Sequence, residues 1–344
     1  MNAEHLILEL LSQQSGLTSA EIHVGIGSPK SARTTKRTID RLIDKKLLTK
    51  HGVKKYTTYS LSKSYSILHY IDVDDYFSQD IDERDIQSGF NHKLLHEELY
   101  EVALFTDAEY SKLAELLDQY RNNILGLSAL EYQKEIERLA IDLSWKSSQI
   151  EGNTYTLLET ERLLKDKETA AGKTKDDAVM LLNHKEAIDF VVDNPQYLQT
   201  LSVSRIEDIH SILVKELGID RNLRRRRVGI TGTNYRPLAN EFQIKEAFAA
   251  MCDLINAKAN VFDKALLALV LISYIQGFSD GNKRTARITS NALLIAHRCC
   301  PLSFRTVNSL DYKKAMLVFY EKNNITPFKR IFIDQFEFAV KTYF

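Results

Sequence analysis

The sequence predicts a mainly α-helical protein of two or three domains. Only 5 prolines and 13 glycines punctuate 344 residues. Long segments between them repeat apolar residues at helical spacing. Strand-like runs are confined to two short stretches, 48–61 and 227–237. The length exceeds what one small domain needs. An apolar share of 44 % supplies a core, and 27 % charged residues argues against a disordered chain.

Charge is balanced over the whole chain, so the molecule as a whole is not an electrostatic nucleic-acid binder. The balance is uneven locally. Residues 1–65 hold eleven lysines and arginines against five carboxylates, an excess of +6, and the remainder carries −6. A basic module attached to an acidic one is the simplest reading. Cys252, Cys299 and Cys300 show no CxxC spacing, so neither a disulfide framework nor a zinc site is expected. Glu4 and Glu9 interrupt the first apolar stretch, which excludes a signal peptide reading. The apolar run Ala265 to Ile275 is too short to cross a bilayer and predicts a buried helix. These features point to a soluble, cytoplasmic protein without a membrane partner.

Taken in order, Leu6, Ile7, Leu10 and Leu11 share one face of a first helix, which Gly16 ends. Thr18 and Glu21 have the spacing of a capping box and predict a short second helix ending near Gly25. Ser28 to Ala32 leads into a third, with Ile39, Leu42, Ile43 and Leu47 inward. Its other face carries Arg33, Lys36, Arg37 and Arg41. Two strands follow around a turn at His51 to Lys55, the turn region bearing Lys50, Lys54 and Lys55. Three helices and a basic hairpin are the order of a winged helix-turn-helix over residues 1–65. The seven basic residues make a phosphate-facing surface, and DNA is the expected partner. Winged helices also dock proteins, and that alternative stays open.

Residues 66–106 read as a connector packed on the main domain through Tyr70, Tyr76, Phe77, Phe90 and Leu94. The main domain, 107–344, shows helical periodicity at roughly 107–124, 128–151, 158–164, 176–193, 203–216, 241–257, 263–275, 283–297, 308–320 and 326–342. Between these helices, Arg227 to Pro237 suggests a small β-hairpin.

The string that carries chemistry runs from Gln276 through Gly277, Phe278, Ser279, Asp280, Gly281, Asn282, Lys283, Arg284, Thr285 and Ala286 to Arg287. An apolar helix ends at Ile275 and another opens near Lys283. Gly281 lets backbone N–H groups approach an anion, and the new helix adds its positive dipole end. Asn282 offers a side-chain donor. Arg284 and Arg287, three residues apart, project from one helical face, and forked guanidiniums suit polyphosphate oxygens. Asp280 offers a hard carboxylate for Mg²⁺. Phe278 reads as an apolar anchor. The competing reading is a plain capping loop with two surface arginines.

This string resembles the signature of the Fic (Fic/Doc) family: histidine-x-phenylalanine-x-(aspartate or glutamate)-glycine-asparagine-x-arginine-x-x-arginine. Phe278, Asp280, Gly281, Asn282, Arg284 and Arg287 match in spacing, and the resemblance covers about residues 107–344. It implies a helical bundle with a small β-hairpin flap and a reaction that moves AMP from ATP to a hydroxyl of a target protein. It assigns Mg²⁺ to Asp280, the α-phosphate to Asn282 and the loop amides, and the outer phosphates to Arg284 and Arg287. Two positions depart from the signature. Gln276 stands where the family has the histidine that deprotonates the hydroxyl, and a carboxamide takes up no proton near neutral pH. Lys283 stands where AMP-transferring members often have glycine, and the Asn-Lys-Arg run is that of the Doc branch, whose members phosphorylate their target.

Three further elements follow from the resemblance. Ser147, Glu151 and Gly152 fit an inhibitory helix whose glutamate pairs with Arg287 and obstructs the γ-phosphate; Gly152 also fits an ordinary helix end. Ile230, Thr231, Gly232, Thr233, Asn234 and Tyr235 would be a flap that docks an extended target segment; a surface hairpin is the other reading. Tyr312 either flanks the adenine or sits in the core. His184, His210 and His297 are expected away from the loop. The functional expectation is an ATP- and Mg²⁺-binding regulator with a degenerate transfer motif that also binds DNA. The alternative is an active adenylyltransferase, or a Doc-like phosphotransferase, restrained by Glu151. A homodimer is compatible with the sequence.

Overall fold

The computed structural model describes residues 3–27 and 31–344, apart from the Lys55 side chain. Ser28, at the expected approach to the third helix, and the Lys55 side chain thus lie outside the described residues. Two compact units emerge: residues up to Tyr70 with Glu101–Tyr110, and Ile71–Tyr100 with Ser111–Phe344.

In the first unit, α1 (Ala3–Gln13), α2 (Ser19–Gly25) and α3 (Ala32–Asp44) precede β1 (Leu48–His51) and β2 (Thr58–Leu61). The strands pair antiparallel, Leu48 opposite Leu61 and His51 opposite Thr58. Ile7, Leu11, Ile22, Ile39, Leu42 and Tyr59 form the buried centre. Thr18 and Glu21 make the expected capping box at the start of α2. At the wing, Gly52 has φ +72°, and a Cβ there would meet the Tyr56 carbonyl at 2.4 Å. Only glycine fits that tip. The element order is that of a winged helix. A short helix α4 (Tyr65–Leu68) follows the wing.

The second unit contains α5 (Val73–Tyr76) and α6 begins at its edge (Leu99–Glu101). After α7 (Asp107–Leu125) come α8 (Ala129–Ile150), α9 (Leu157–Asp166), α10 (Lys175–Asp193), α11 (Val203–Leu213), α12 (Glu241–Ala257), α13 (Val261–Ile275), α14 (Asn282–Ala296), α15 (Ser309–Lys322) and α16 (Thr326–Tyr343). α13 and α14 are the central pair. Every residue from Ala265 to Ile275 is buried, as a helix apolar on all sides must be. α12, α14, α15 and α16 surround it. Among the described residues no helix is long and apolar enough to cross a membrane.

The stretch 227–237 departs from expectation. It turns at Thr231-Gly232, but its two arms do not pair as a hairpin. Its polar groups go instead to residues 81–89. Arg84 donates to the Gly232 carbonyl at 2.8 Å, the Arg236 N–H to the Ser88 carbonyl at 2.8 Å, and Asn234 to the Asp82 carboxylate at 2.8 Å. A segment whose hydrogen bonds are taken by another strand of chain has no need of a ladder with itself.

Candidate nucleotide site

α13 ends at Gln276, which takes the left-handed conformation (φ 51°, ψ 52°). The chain then loops over Gly277 to Asp280 and re-enters helix at Asn282, with Gly281 (φ +78°) as N-cap and no side-chain cap. The first N–H groups of α14 therefore face outward without a side-chain partner from the cap. Gly277 packs so closely that a Cβ would meet the Phe248 ring at 2.2 Å. Phe278 is buried and stacks on His210, ring centres 3.7 Å apart. This seats the loop on α11 and α12.

Asn282 is the loop's clasp. Its Oδ1 accepts from the Phe278 N–H at 2.9 Å, and its Nδ2 donates to the Phe278 carbonyl at 2.8 Å and to Gln276 Oε1 at 3.2 Å. Gln276 in turn donates from Nε2 to the Ser273 carbonyl at 2.6 Å. Both ends of the carboxamide are thus engaged, Oε1 by Asn282 and Nε2 by the last turn of α13. Arg224, buried, closes the far side. Its Nε donates to the Gln276 carbonyl at 2.5 Å, Nη1 to the Arg226 carbonyl at 2.7 Å and Nη2 to the Leu238 carbonyl at 2.6 Å.

The two motif arginines are 1 % and 0 % exposed. They do not converge on one point. Arg284 donates to Asp280 at 3.2 Å and weakly to the Leu213 carbonyl at 3.4 Å. Arg287 points to α8. Nε donates to Ser147 Oγ at 2.7 Å, and Nη2 to the Ser147 carbonyl at 3.0 Å and Glu151 Oε1 at 2.8 Å. Lys283 takes the other oxygen of Glu151 at 2.5 Å. Burial pushes the Glu151 carboxyl up, but Arg287 and Lys283 outweigh it and hold the group at about 2. Glu151 is ionised throughout the physiological range. Ser147 Oγ accepts from Arg287 and also shares a hydrogen bond with His184 Nε2 at 2.6 Å. Burial, with both arginines nearby, holds His184 far below the usual imidazole range, so it is neutral and able to accept. Gly152 follows at φ +101°, in the left-handed range that suits glycine.

Above the loop lies a cleft of about 850 Å³. Gln276, Asp280, Lys283 and Glu151 form its floor, Val228 to Gly232 one wall, Phe77 to Arg84 another, and α15 residues such as Lys313 and Tyr320 the roof. Asp280 is exposed at the lip. Of the flap residues, Ile230, Thr231 and Gly232 line the cleft. Thr233 and Tyr235 are buried, Tyr235 stacking 4.9 Å from Tyr274 and donating to the Tyr274 carbonyl. Tyr235 is thus buried against Tyr274 and offers no docking edge.

Three expectations need correction. Tyr312 does not line the cleft: it is fully buried, 4.9 Å from Phe328 and beneath the Arg287 guanidinium at 5.2 Å. His210 and His184 are not remote but pack directly on the site. Burial pulls His210 down to about 4. Its burial was legible, since Ile206, Ile209, His210 and Leu213 form one buried face of α11, but its contact with the loop was not. Arg224 had no such signal, because a run of four arginines reads as solvated surface.

In the first unit, Arg33, Arg37, Arg41, Lys50 and Lys54 are exposed. Arg41 pairs with Glu4 at 3.2 Å, and Lys36 with Asp40 at 2.5 Å and the Tyr59 hydroxyl at 2.8 Å.

Comparison with known proteins joins these observations. Residues 200–294, from α11 through the loop to α14, match the Fic/DOC family. The chain carries a Fic/DOC domain. Residues 2–119 match the penicillinase repressor family. The protein adenylyltransferase Fic of Nematostella vectensis is 27 % identical over 210 residues, 58 % of this chain and 48 % of that protein. Its counterpart from Culex quinquefasciatus is 26 % identical over 242 residues, 67 % of this chain and 47 % of that one. The chain spans about half the length of these curated relatives. Among solved structures, Fic-1 of C. elegans (residues 134–508) superposes with TM-score 0.60 at 16 % identity, covering 69 % of this chain and 71 % of that one. A Fic-domain signaling protein from Bacteroides thetaiotaomicron gives 0.58 at 18 %, covering 67 % and 95 %. These superpositions establish the Fic fold of the helical unit.

Proposed function

We propose that this chain is a nucleotide-binding regulator. The loop of 276–287 binds ATP with Mg²⁺, Glu151 closes the outer-phosphate position, and the winged helix binds duplex DNA. The single observation that carries the reading is Glu151 held between Arg287 and Lys283. A carboxylate on two cations at the start of a glycine-opened helix occupies the place and charge of a terminal phosphate. The residues fit the ligand. Arg287 Nη1 and Arg284 Nε are buried without a hydrogen-bond partner, so donors remain for oxygens the protein itself does not supply.

In this reading Arg284 and Arg287 hold outer phosphates, the α14 amides the inner one, and Asp280 the cation. Asn282, its side chain spent on the loop, acts by shaping those amides. When bound, ATP supplies the group to be transferred and Mg²⁺ offsets its charge. Gln276 gives the hydroxyl of a protein target no proton acceptor, because its carboxamide is neutral and both ends are engaged. Loss of a general base costs about 10²–10⁴-fold in rate. Glu151 acts in series with that loss.

The test is transfer from α-labelled ATP. The chain as it stands should give next to no labelled protein, and Gln276→His alone should do little. Gln276→His combined with Glu151→Gly should raise self-modification by about 10²–10⁴-fold. Efficient AMP transfer by the unaltered chain would overturn the regulator reading in favour of an active adenylyltransferase. Label arriving only from the γ-phosphate would move the reading to a Doc-like phosphotransferase using Lys283. Nucleotide that fails to bind by calorimetry, even with Glu151→Gly, would remove the site altogether.

A further inference from the structure

The run Arg224 to Arg227 plays two different parts. Arg224 is buried and ties the Gln276, Arg226 and Leu238 carbonyls together, while its own N–H donates to the Gly277 carbonyl at 2.8 Å. Arg225 pairs with Glu241 at 3.1 Å. Arg226 and Arg227 are exposed, as is Arg236 beyond the flap turn. None of these three has a carboxylate within 4 Å among the described residues. Val228, the next residue, lines the cleft. One buried guanidinium therefore holds the backbone of this run, next to Val228 in the cleft lining, in set register with Gln276.

Adjacent like charges on a fixed backbone repel, and among the described residues Arg226 and Arg227 have no ion-pair partner. An anionic partner at the cleft mouth would. Resting on the proposed function, in which the target hydroxyl comes over Gln276, we infer that the partner is an extended, hydroxyl-bearing polypeptide with acidic side chains. Arg224 spans the Gln276 and Arg226 carbonyls through a single guanidinium. An acidic side chain about two to four residues from the hydroxyl therefore reaches Arg226 or Arg227. The field of these arginines, together with Lys313 on the roof, selects such segments and speeds their arrival.

The probe is a fluorescein-labelled twelve-residue peptide of alternating glutamate and serine, with a glutamine-serine peptide as control, read by anisotropy on the full chain. The glutamate peptide should bind and the control should not. Arg226→Gln with Arg227→Gln should weaken binding by about tenfold and flatten its salt dependence. Arg37→Gln with Arg41→Gln, on the other basic surface, should leave it unchanged. Charge reversal at 226 and 227 provides a second variant, with thermal melting as the check on folding. Equal binding of both peptides, or loss traced to Arg37 and Arg41 instead, overturns the inference. Tighter binding of a single-stranded oligonucleotide of equal charge, lost with Arg226 and Arg227, overturns it in favour of nucleic acid. ATP calorimetry on the same variants separates the two readings: nucleotide binding stays intact if only the peptide surface is misassigned.

Discussion

The molecule uses arginine in two opposite ways. In the winged-helix unit Arg33 and Arg37 stand in solvent, where they create a field. In the Fic unit Arg224, Arg284 and Arg287 are almost wholly buried, and each has fixed oxygens for company. In the winged helix the exposed kind acts through charge and is screened by salt. The buried kind is a structural bolt whose removal leaves oxygens unpaired, and its forked geometry cannot be supplied by lysine. Burial, not residue type, decides whether a mutation here also changes stability.

The contrast is sharpest at Arg224. Arg224→Ala should cost about 3–5 kcal/mol in urea denaturation, because three carbonyls lose their donor in a buried setting. Arg224→Lys should restore only part. A cost below about 1 kcal/mol would show that these carbonyls find water and that the guanidinium is no bolt.

Glu151 gives the next effect, and it depends on pH. Its folded pKa of about 2 lies below the ordinary glutamate value of 4.5, so its contribution is present above pH 4.5 and is lost as pH falls toward 2. Glu151→Gln should therefore be less stable than wild type by on the order of 3 kcal/mol at pH 7. The gap should close progressively between pH 4.5 and 2. A gap that is flat with pH would mean that the ion pairs with Arg287 and Lys283 add nothing.

The smallest effect belongs to the exposed set. Arg37→Gln with Arg41→Gln should leave stability within about 0.5 kcal/mol. It should weaken duplex DNA binding about tenfold and lower the salt slope by about 2. If instead the protein melts much earlier, these side chains are structural and the contrast fails.

How far the sequence reaches follows from the same physics. The loop was legible because its parts are contiguous: a helix stop, a left-handed glycine, a helix start and two arginines fall within Gln276 to Arg287. Thr18 with Glu21 was legible for the same reason. What could not be read depends on distant partners. Whether 227–237 paired with itself turned on Arg84 and Ser88, about 150 residues away in the chain. Tyr312 has the same composition signal in a pocket wall as in a core, and only the packing of Phe328 and Arg287 places it. Asn282 was expected to meet a ligand, yet its hydrogen bonds go to the loop, a choice that rests on the backbone path of Phe278.

One contact bears on how the site would meet a ligand. Ser147 holds Arg287 by two hydrogen bonds that do not involve Glu151. When the carboxylate leaves, the guanidinium stays aimed. An arginine free to wander forfeits up to about 2 kcal/mol of rotamer entropy when it is captured. Here that loss is already met in folding, so an incoming anion finds its receptor rigid. Ser147, through its hydroxyl and its carbonyl, thus keeps the arginine ready, and in the proposed reading the glutamate is what makes it wait.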